Sequence, residues 1–371
     1  MKVFITYASA GAGHKKAAEA IYDYLKTNCL DAECRLIDVL DKADFIYKFA
    51  YKAGYTYLIR HLVWLWWAAF RVTYFKPLRF LTRRWVKISN LLHTNLFSQF
   101  LIQENPDYII STHFLPSEIA TVLKNRKIIT SKLVTVITDF GVHPFWINNG
   151  TDLYVVASGV TKQDLVSEGV SEERIKESGI PVKVGFLKKH DRSSLCAKLG
   201  IDADKFTVLI MTGSFGIGPI KEIVELLYQD AQLLVVCALN KKLYEDLSRK
   251  SFPNVKVYAF VDNSDELMAV SDLVITKPGG LSISEILNIG LAPVFISSIP
   301  GQEKKNISVL SKFGIGYLPK NTKEIRDIVL DLKANPEKFN ALKEKIRALS
   351  KPNCLKDIAD VICESSAGPA A

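Results

Sequence analysis

Val274-Ile-Thr-Lys-Pro-Gly-Gly-Leu-Ser-Ile-Ser-Glu-Ile-Leu287 is the stretch around which the rest of the chain is ordered. It reads as a short buried strand over 273–276, a tight turn over 277–280 and a helix opening at Ser282. Gly279 and Gly280 carry no Cβ, so a ligand can approach their backbone closely. The N–H groups of the helix start then point at that ligand, and the helix dipole favours an anion there. Glu285 stands three residues after Ser282, a spacing that suits a capping box. The same spacing sets a carboxylate one turn into the helix, where it can hold a diol such as a ribose. From spacing alone the capping box is the favoured reading.

The 371 residues suffice for about two domains, and an apolar fraction of 48% is ample for their cores. Six cysteines (Cys29, Cys34, Cys196, Cys237, Cys354, Cys363) form no Cys-x-x-Cys pair and no metal-ligand spacing. They read as reduced core residues of a cytoplasmic protein. Met1 to Tyr7 already reads as a strand, so no leader peptide is expected. The net charge of +9 is local: residues 42–87 carry ten Lys/Arg and one acid, Asp44, while the remainder is balanced.

Fourteen aromatics between residues 45 and 85 interleave with those bases, among them Trp64, Trp66, Trp67 and Trp85. The longest uncharged run, 62–70, has nine residues, whereas a membrane span needs about twenty. The expectation is an amphipathic element lying in the membrane interface. Its tryptophans would sit at headgroup level, and Arg71, Lys76, Arg79, Arg83 and Arg84 would face anionic lipid at about 1 kcal/mol each. An aromatic core with solvated bases, or a single-stranded nucleic-acid surface, are the competing readings. No nucleic-acid-binding motif accompanies the segment, and it interrupts an α/β pattern, so the membrane is placed first and no nucleic acid is expected.

The chain begins with a strand over 2–7, then Ala8-Ser-Ala-Gly-Ala-Gly-His14 and a helix to about Lys26. Strand, Gly-rich turn and helix form an anion-cradling layout, but Lys16 stands where a dinucleotide fingerprint wants a small residue. His14 falls in the first helical turn, where the dipole disfavours imidazolium, so the ring is expected neutral and able to act as a general base. A histidine that merely packs at the helix start fits the spacing equally well. Strands over 33–39, 107–111, 132–137 and 153–157 alternate with helices and imply a parallel sheet, whose ligands sit at the carboxyl ends of the strands. His14, His113, Asp139 and His143 all fall just beyond such ends. A polar connection over 179–205 marks the domain boundary, and the Asp202-Ala-Asp204 triplet is expected in a loop. The second half repeats the pattern, with strands over 206–211, 233–237, 255–259, 273–276 and 292–296. Thr212-Gly-Ser-Phe-Gly-Ile-Gly218 precedes a helix expected to start at Pro219. Another helix is expected from about Lys304, and the tail 365–371 reads as disordered.

Taken together, these motifs resemble those of a GT-B glycosyltransferase: an α/β fold with two Rossmann-like domains facing a central cleft. The chain is most similar to the monogalactosyldiacylglycerol synthase and processive diacylglycerol glucosyltransferase family, of the glycosyltransferase family 28 kind. The likeness runs through 8–21, 138–146, 178–182, 211–218 and 260–316. It implies an acceptor-binding domain over 1–180 with a membrane-associated segment at 45–87, a UDP-sugar-binding domain over 181–350, and a closing helix and tail over 351–371. By the resemblance, His14 would deprotonate the acceptor hydroxyl, and Asp139 would join it as a catalytic residue. Gly13, His113, His143 and Trp146 would line the acceptor side. On the donor side, Gly213, Ser214, Phe215, Gly216, Gly279 and Gly280 would cradle the diphosphate, with Val261, Lys277, Leu281 and Ser282 beside it. Glu285 would bind the ribose hydroxyls, and Gln302 and Glu303 the sugar hydroxyls.

The reaction so implied moves a hexose from a UDP-sugar to diacylglycerol with inversion, on the cytoplasmic face of a membrane to which the protein is peripheral. Helix N-terminal N–H groups would stabilise the departing UDP, and no metal or other cofactor is expected. The expected partners are the UDP-sugar, diacylglycerol or a glycolipid acceptor, and an anionic membrane surface. A UDP-GlcNAc transferase acting on a polyprenyl-linked lipid, a UDP-sugar epimerase and a non-catalytic membrane-bound UDP-sugar sensor are the alternatives.

Overall fold

The computed structural model describes residues 1–9, 11–54, 57, 62–296 and 301–363. Ala10 of the first Gly-rich turn, Ile299 and Pro300, and the tail 365–371 lie outside the described residues, as do the side chains of Trp66, Lys76, Arg79 and Arg83. The chain forms two compact units: 1–184 with 299–306 and 351–371, and 185–298 with 307–350.

The first unit holds a six-stranded parallel sheet of β1 (Lys2–Tyr7), β2 (Glu33–Asp38), β3 (Tyr108–Ser111), β4 (Lys132–Val136), β5 (Leu153–Val156) and β6 (Ile175–Glu177), in the order β2-β1-β3-β4-β5-β6. Strands buried on both faces read as unbroken apolar runs, which is why Val3, Phe4 and Ile5 and the pair Ile109 and Ile110 are all fully buried. Each such side chain contributes about 1.5–3 kcal/mol by leaving water. Phe4, Ile109 and Leu133 pack with Phe97, Leu101, Leu115 and Ile119 of the helices Asn95–Glu104 and Phe114–Asn125. Strand β6, three residues long, was too short to show in the sequence pattern.

The second unit holds a five-stranded parallel sheet of β7 (Thr207–Met211), β8 (Gln232–Val236), β9 (Val255–Tyr258), β10 (Leu273–Thr276) and β11 (Ala292–Phe295), in the order β11-β10-β7-β8-β9. The strand order reverses beside β7 and β10, so the turns after these two strands are where a ligand is expected. Asp202 accepts the N–H of Asp204 at 3.0 Å, an Asx turn that places the acidic triplet in a loop.

Three sequence expectations are corrected. The helix after β10 is Gly280–Ile289, capped by Gly279 without a side-chain bond, so the Ser282–Glu285 capping box is absent. Gly280 is thus the first residue of the helix and Gly279 its cap, in extended backbone (φ −71°). Pro219 is the cap of the helix Ile220–Leu227 and not its first residue. Finally, the six cysteines are not all reduced: Cys29 and Cys363 form a disulfide, with Cα atoms 6.8 Å apart. The end of the helix Ala12–Asn28 and that of Cys354–Cys363 are brought side by side by packing, a proximity that 334 residues of separation conceal.

Candidate active site

In the first unit the carboxyl ends of β1, β3 and β4 lead into three loops that meet at His14. The helix Ala12–Asn28 places His14 in its first turn. Nδ1 lies 2.8 Å from the carbonyl oxygen of Thr112 and 2.7 Å from Oγ1 of Thr138. A carbonyl can only accept, so Nδ1 carries the proton and the lone pair is on Nε2. Thr112 Oγ1 donates in return to the His14 carbonyl at 2.9 Å, which clamps the ring to the end of β3. Burial pushes the His14 pKa down to about 4, against the smaller upward pull of the Thr112 carbonyl. The ring is therefore neutral at physiological pH, as the sequence implied, but burial rather than the helix dipole is the largest cause.

His113 stands edge-on to His14 with ring centroids 4.6 Å apart, and Trp146 lies 6.1 Å from His14. His113 is buried and caps the helix Phe114–Asn125 by accepting the Leu115 N–H at Nδ1, 3.1 Å. Burial, with the neighbouring His14 adding to it, holds its pKa well below the usual imidazole value. His143 does not join this cluster. Its Nδ1 accepts the Phe145 N–H at 3.1 Å, so Nε2 carries the proton and donates to Thr73 Oγ1 at 3.0 Å. His143 thus ties its loop to the helix Val63–Tyr74, whose Tyr74 hydroxyl also donates to the Val142 carbonyl at 3.1 Å.

Asp139 directly follows Thr138. Burial pushes its pKa up to about 7; the amide of Asn306, donating to Oδ1 at 3.1 Å, pulls the other way, and the charge of Glu303 adds to the rise. A carboxyl that titrates near neutrality, on the residue next to the threonine that contacts the neutral His14 ring, is the kind of group that acid–base chemistry uses. Gln302, expected at the sugar, donates its amide to the Gly141 carbonyl.

In the second unit the Thr212–Gly218 turn follows β7. Gly213 has φ +83° and open space where a Cβ would be, while a Cβ on Gly216 (φ +54°) would strike the Cys237 carbonyl. Asn240 holds the turn by donating to the Gly216 carbonyl at 3.0 Å. Phe215 is 44% exposed. After β10, Gly279 offers no side chain to occupy the N–H groups of the first turn of Gly280–Ile289, and a Cβ there would meet nothing within 4 Å. Such a helix start is suited to an anion. Glu285 is buried one turn further in. Val261, Lys277 and Ser282 are half-buried and Leu281 is buried. Because Gly279 has ordinary dihedrals, Gly279→Val is expected to fold normally; on the resemblance's assignment of the diphosphate to this helix start, it is expected to lower UDP affinity at least about tenfold. Calorimetric titration with UDP, alongside a thermal melt, checks this; unchanged affinity would remove the helix start from the site.

Thr112, Thr138 and Asn306 were not singled out from the sequence. Thr138 is adjacent to Asp139 in the chain, and Asn306 stands four residues after Gln302 on one helix face, the signal from which each could have been found. Among the described residues no three His, Cys, Asp or Glu side chains are grouped to hold a metal ion, and no helix is long and apolar enough to cross a membrane.

Two family profiles match the chain: monogalactosyldiacylglycerol (MGDG) synthase over residues 14–182, and the glycosyltransferase family 28 C-terminal domain over residues 207–361. The chain is 28% identical to the processive diacylglycerol beta-glucosyltransferase of Bacillus pumilus, over 98% of this chain and 95% of that one. It is 32% identical to the protein of that name from Staphylococcus epidermidis, over 73% of this chain and 72% of that one. Among solved structures it is similar to MurG of Acinetobacter baumannii, with a TM-score of 0.61 at 14% identity over 98% and 99% of the two chains. It is similar also to the UDP-GlcNAc 2-epimerase of Neisseria meningitidis bound to UDP-GlcNAc, with a TM-score of 0.61 at 15% identity over 98% and 100%.

Proposed function

The chain belongs to the family of monogalactosyldiacylglycerol synthases and processive diacylglycerol beta-glucosyltransferases and has the GT-B fold, and from that premise we propose that it transfers a hexose from a UDP-sugar to diacylglycerol at a membrane surface, with inversion. The observation that carries the reading is the His14 tautomer. With the proton held on Nδ1 by the Thr112 carbonyl, Nε2 is left to accept one. In the reaction the acceptor hydroxyl loses its proton to Nε2, and its oxygen bonds to the anomeric carbon. The bond from that carbon to the β-phosphate oxygen breaks, and UDP leaves with the electron pair. Asp139, ionised, favours by its negative charge the imidazolium that His14 becomes, and takes no proton itself.

The second unit supplies the donor side. The Gly213–Gly216 turn and the N–H groups after Gly279 take the diphosphate, whose charge grows as UDP departs, and Glu285 takes the ribose hydroxyls. Glu303 is assigned to the sugar. An apolar acceptor accounts for the exposure of Phe45, Trp64, Trp67, Phe75, Leu81, Trp85 and Leu92, among which Arg71 lies over the Trp67 ring and Arg84 is also exposed. Exposed apolar side chains on helices with a basic face suit an anionic membrane interface.

The test presents purified protein with diacylglycerol, in anionic vesicles or dispersed in detergent, and with UDP-glucose, UDP-galactose or UDP-GlcNAc. Glycolipid with a β linkage from one donor is expected. An Arg71→Ala/Arg84→Ala variant is expected to lose several-fold more activity on vesicles than in detergent. Equal losses would overturn the membrane assignment. No product from any donor, with UDP still bound, would favour the sensor or a different acceptor.

A further inference from the structure

We propose that Asn306 is the positioning residue for Asp139, fixing at once the direction of its carboxyl and the course of the loop that presents it; this rests on the catalytic reading of Asp139 above. Asn306 is fully buried and uses both ends of its amide on one loop. Its Oδ1 accepts the N–H groups of Phe140 at 2.9 Å and Gly141 at 3.3 Å, and its Nδ2 donates to Asp139 Oδ1 at 3.1 Å. The neighbours of Asn306 on the same segment hold the same loop: Gln302 donates to the Gly141 carbonyl, and Lys305 donates to the Val142 carbonyl at 3.1 Å while its ammonium lies over the Tyr74 ring.

A side chain whose only work were to stabilise the loop would need acceptors alone, since the groups it receives from residues 140 and 141 are donors. The third bond, from Nδ2 to the carboxylate, favours the ionised form of Asp139 and points Oδ1 away from rotation. Asparagine is suited to both tasks because it accepts and donates at once; aspartate can only accept when ionised. The charged group that acts on Asp139 is Glu303, which raises its pKa; the titratable groups held on the adjoining loop residues are His14 on Thr138, Lys305 on Val142 and His143 on Phe145.

The experiment separates an effect through Asp139 from a merely structural one. Asn306→Ala removes both bonds without adding a charge, and its cost is measured in the wild type and again in an Asp139→Asn background, where the carboxylate is already gone. With aspartate labelled with 13C at its carboxyl carbons, and with Asp139→Asn identifying the signal of interest, the Asp139 titration midpoint is expected to rise by about one unit in Asn306→Ala. Asn306→Ala is expected to lose at least about tenfold in kcat, to keep its KM for the sugar donor, and to cost little further in the Asp139→Asn background. A purely structural asparagine predicts instead equal losses in both backgrounds and an unmoved midpoint; that result overturns the proposal. If Asn306→Ala does not fold, the same comparison with Asn306→Leu, which fills the volume without either bond, decides. Because the titration needs no turnover, absence of glycolipid from the wild type would reject the proposed function while leaving this test standing.

Discussion

His14→Ala is expected to lower glycolipid formation by about 10²–10⁴-fold, the usual loss when a positioned general base is removed. UDP affinity should be unchanged, because the residues assigned to the donor diphosphate and ribose lie in the second unit. The wild-type ring is neutral at every pH above about 4, so His14 itself imposes no limb on the pH–rate profile between 6 and 8. What activity survives in the variant should therefore keep the wild-type pH dependence. Initial rates from pH 5 to 9 on wild type and variant check both points. A variant that retains full activity, or one whose UDP affinity falls in parallel, would remove His14 from the proton-transfer step.

The second large effect is a trade between activity and stability at Asp139. Activity requires the ionised carboxylate, so the wild-type rate should rise with pH through about 7, and Asp139→Asn should lose that limb together with about 10² in kcat. Stability runs the other way. The native carboxyl keeps its proton up to about 7, whereas the unfolded one releases it near 3.8. Between these values the native state binds more protons than the unfolded state, so stability is fully present below 3.8 and is lost as pH rises through 7. Asparagine keeps the hydrogen bond from Asn306 and carries no charge to desolvate. Asp139→Asn should thus equal the wild type near pH 4 and exceed it by roughly 2–4 kcal/mol at pH 8. Denaturant titrations at the two pH values give the comparison. A stability difference independent of pH would show that the carboxyl titrates alike in the native and unfolded states, so that burial does not raise its pKa.

How far the sequence reached differs from residue to residue. The strand positions were readable because parallel strands buried on both faces must be unbroken apolar runs, and β10 came out with its observed bounds, Leu273–Thr276. Short elements and helix starts were less readable. Strand β6 has three residues, and the helix after β10 starts two residues before Ser282, since an uncapped glycine start leaves no side-chain signature. Histidines at strand ends could be gathered into one group, yet the structure joins His14 to His113 and sends His143 to Thr73.

The sequence by itself determined the order of the longer strands and helices, the location of the positive charge, and the positions of the glycine turns that follow strands. These are local properties, set by periodicity, by the absence of a Cβ and by composition. Only the tertiary structure decided which nitrogen of His14 bears the proton, why Asp139 titrates near neutrality and which side chain aims it, and that Cys29 meets Cys363. Each depends on partners distant along the chain: 98 residues for the Thr112 carbonyl, 167 for the Asn306 amide and 334 for the disulfide. Protonation is governed by burial and by the atoms within a few ångströms, and no spacing along a single chain encodes which remote segment will supply them.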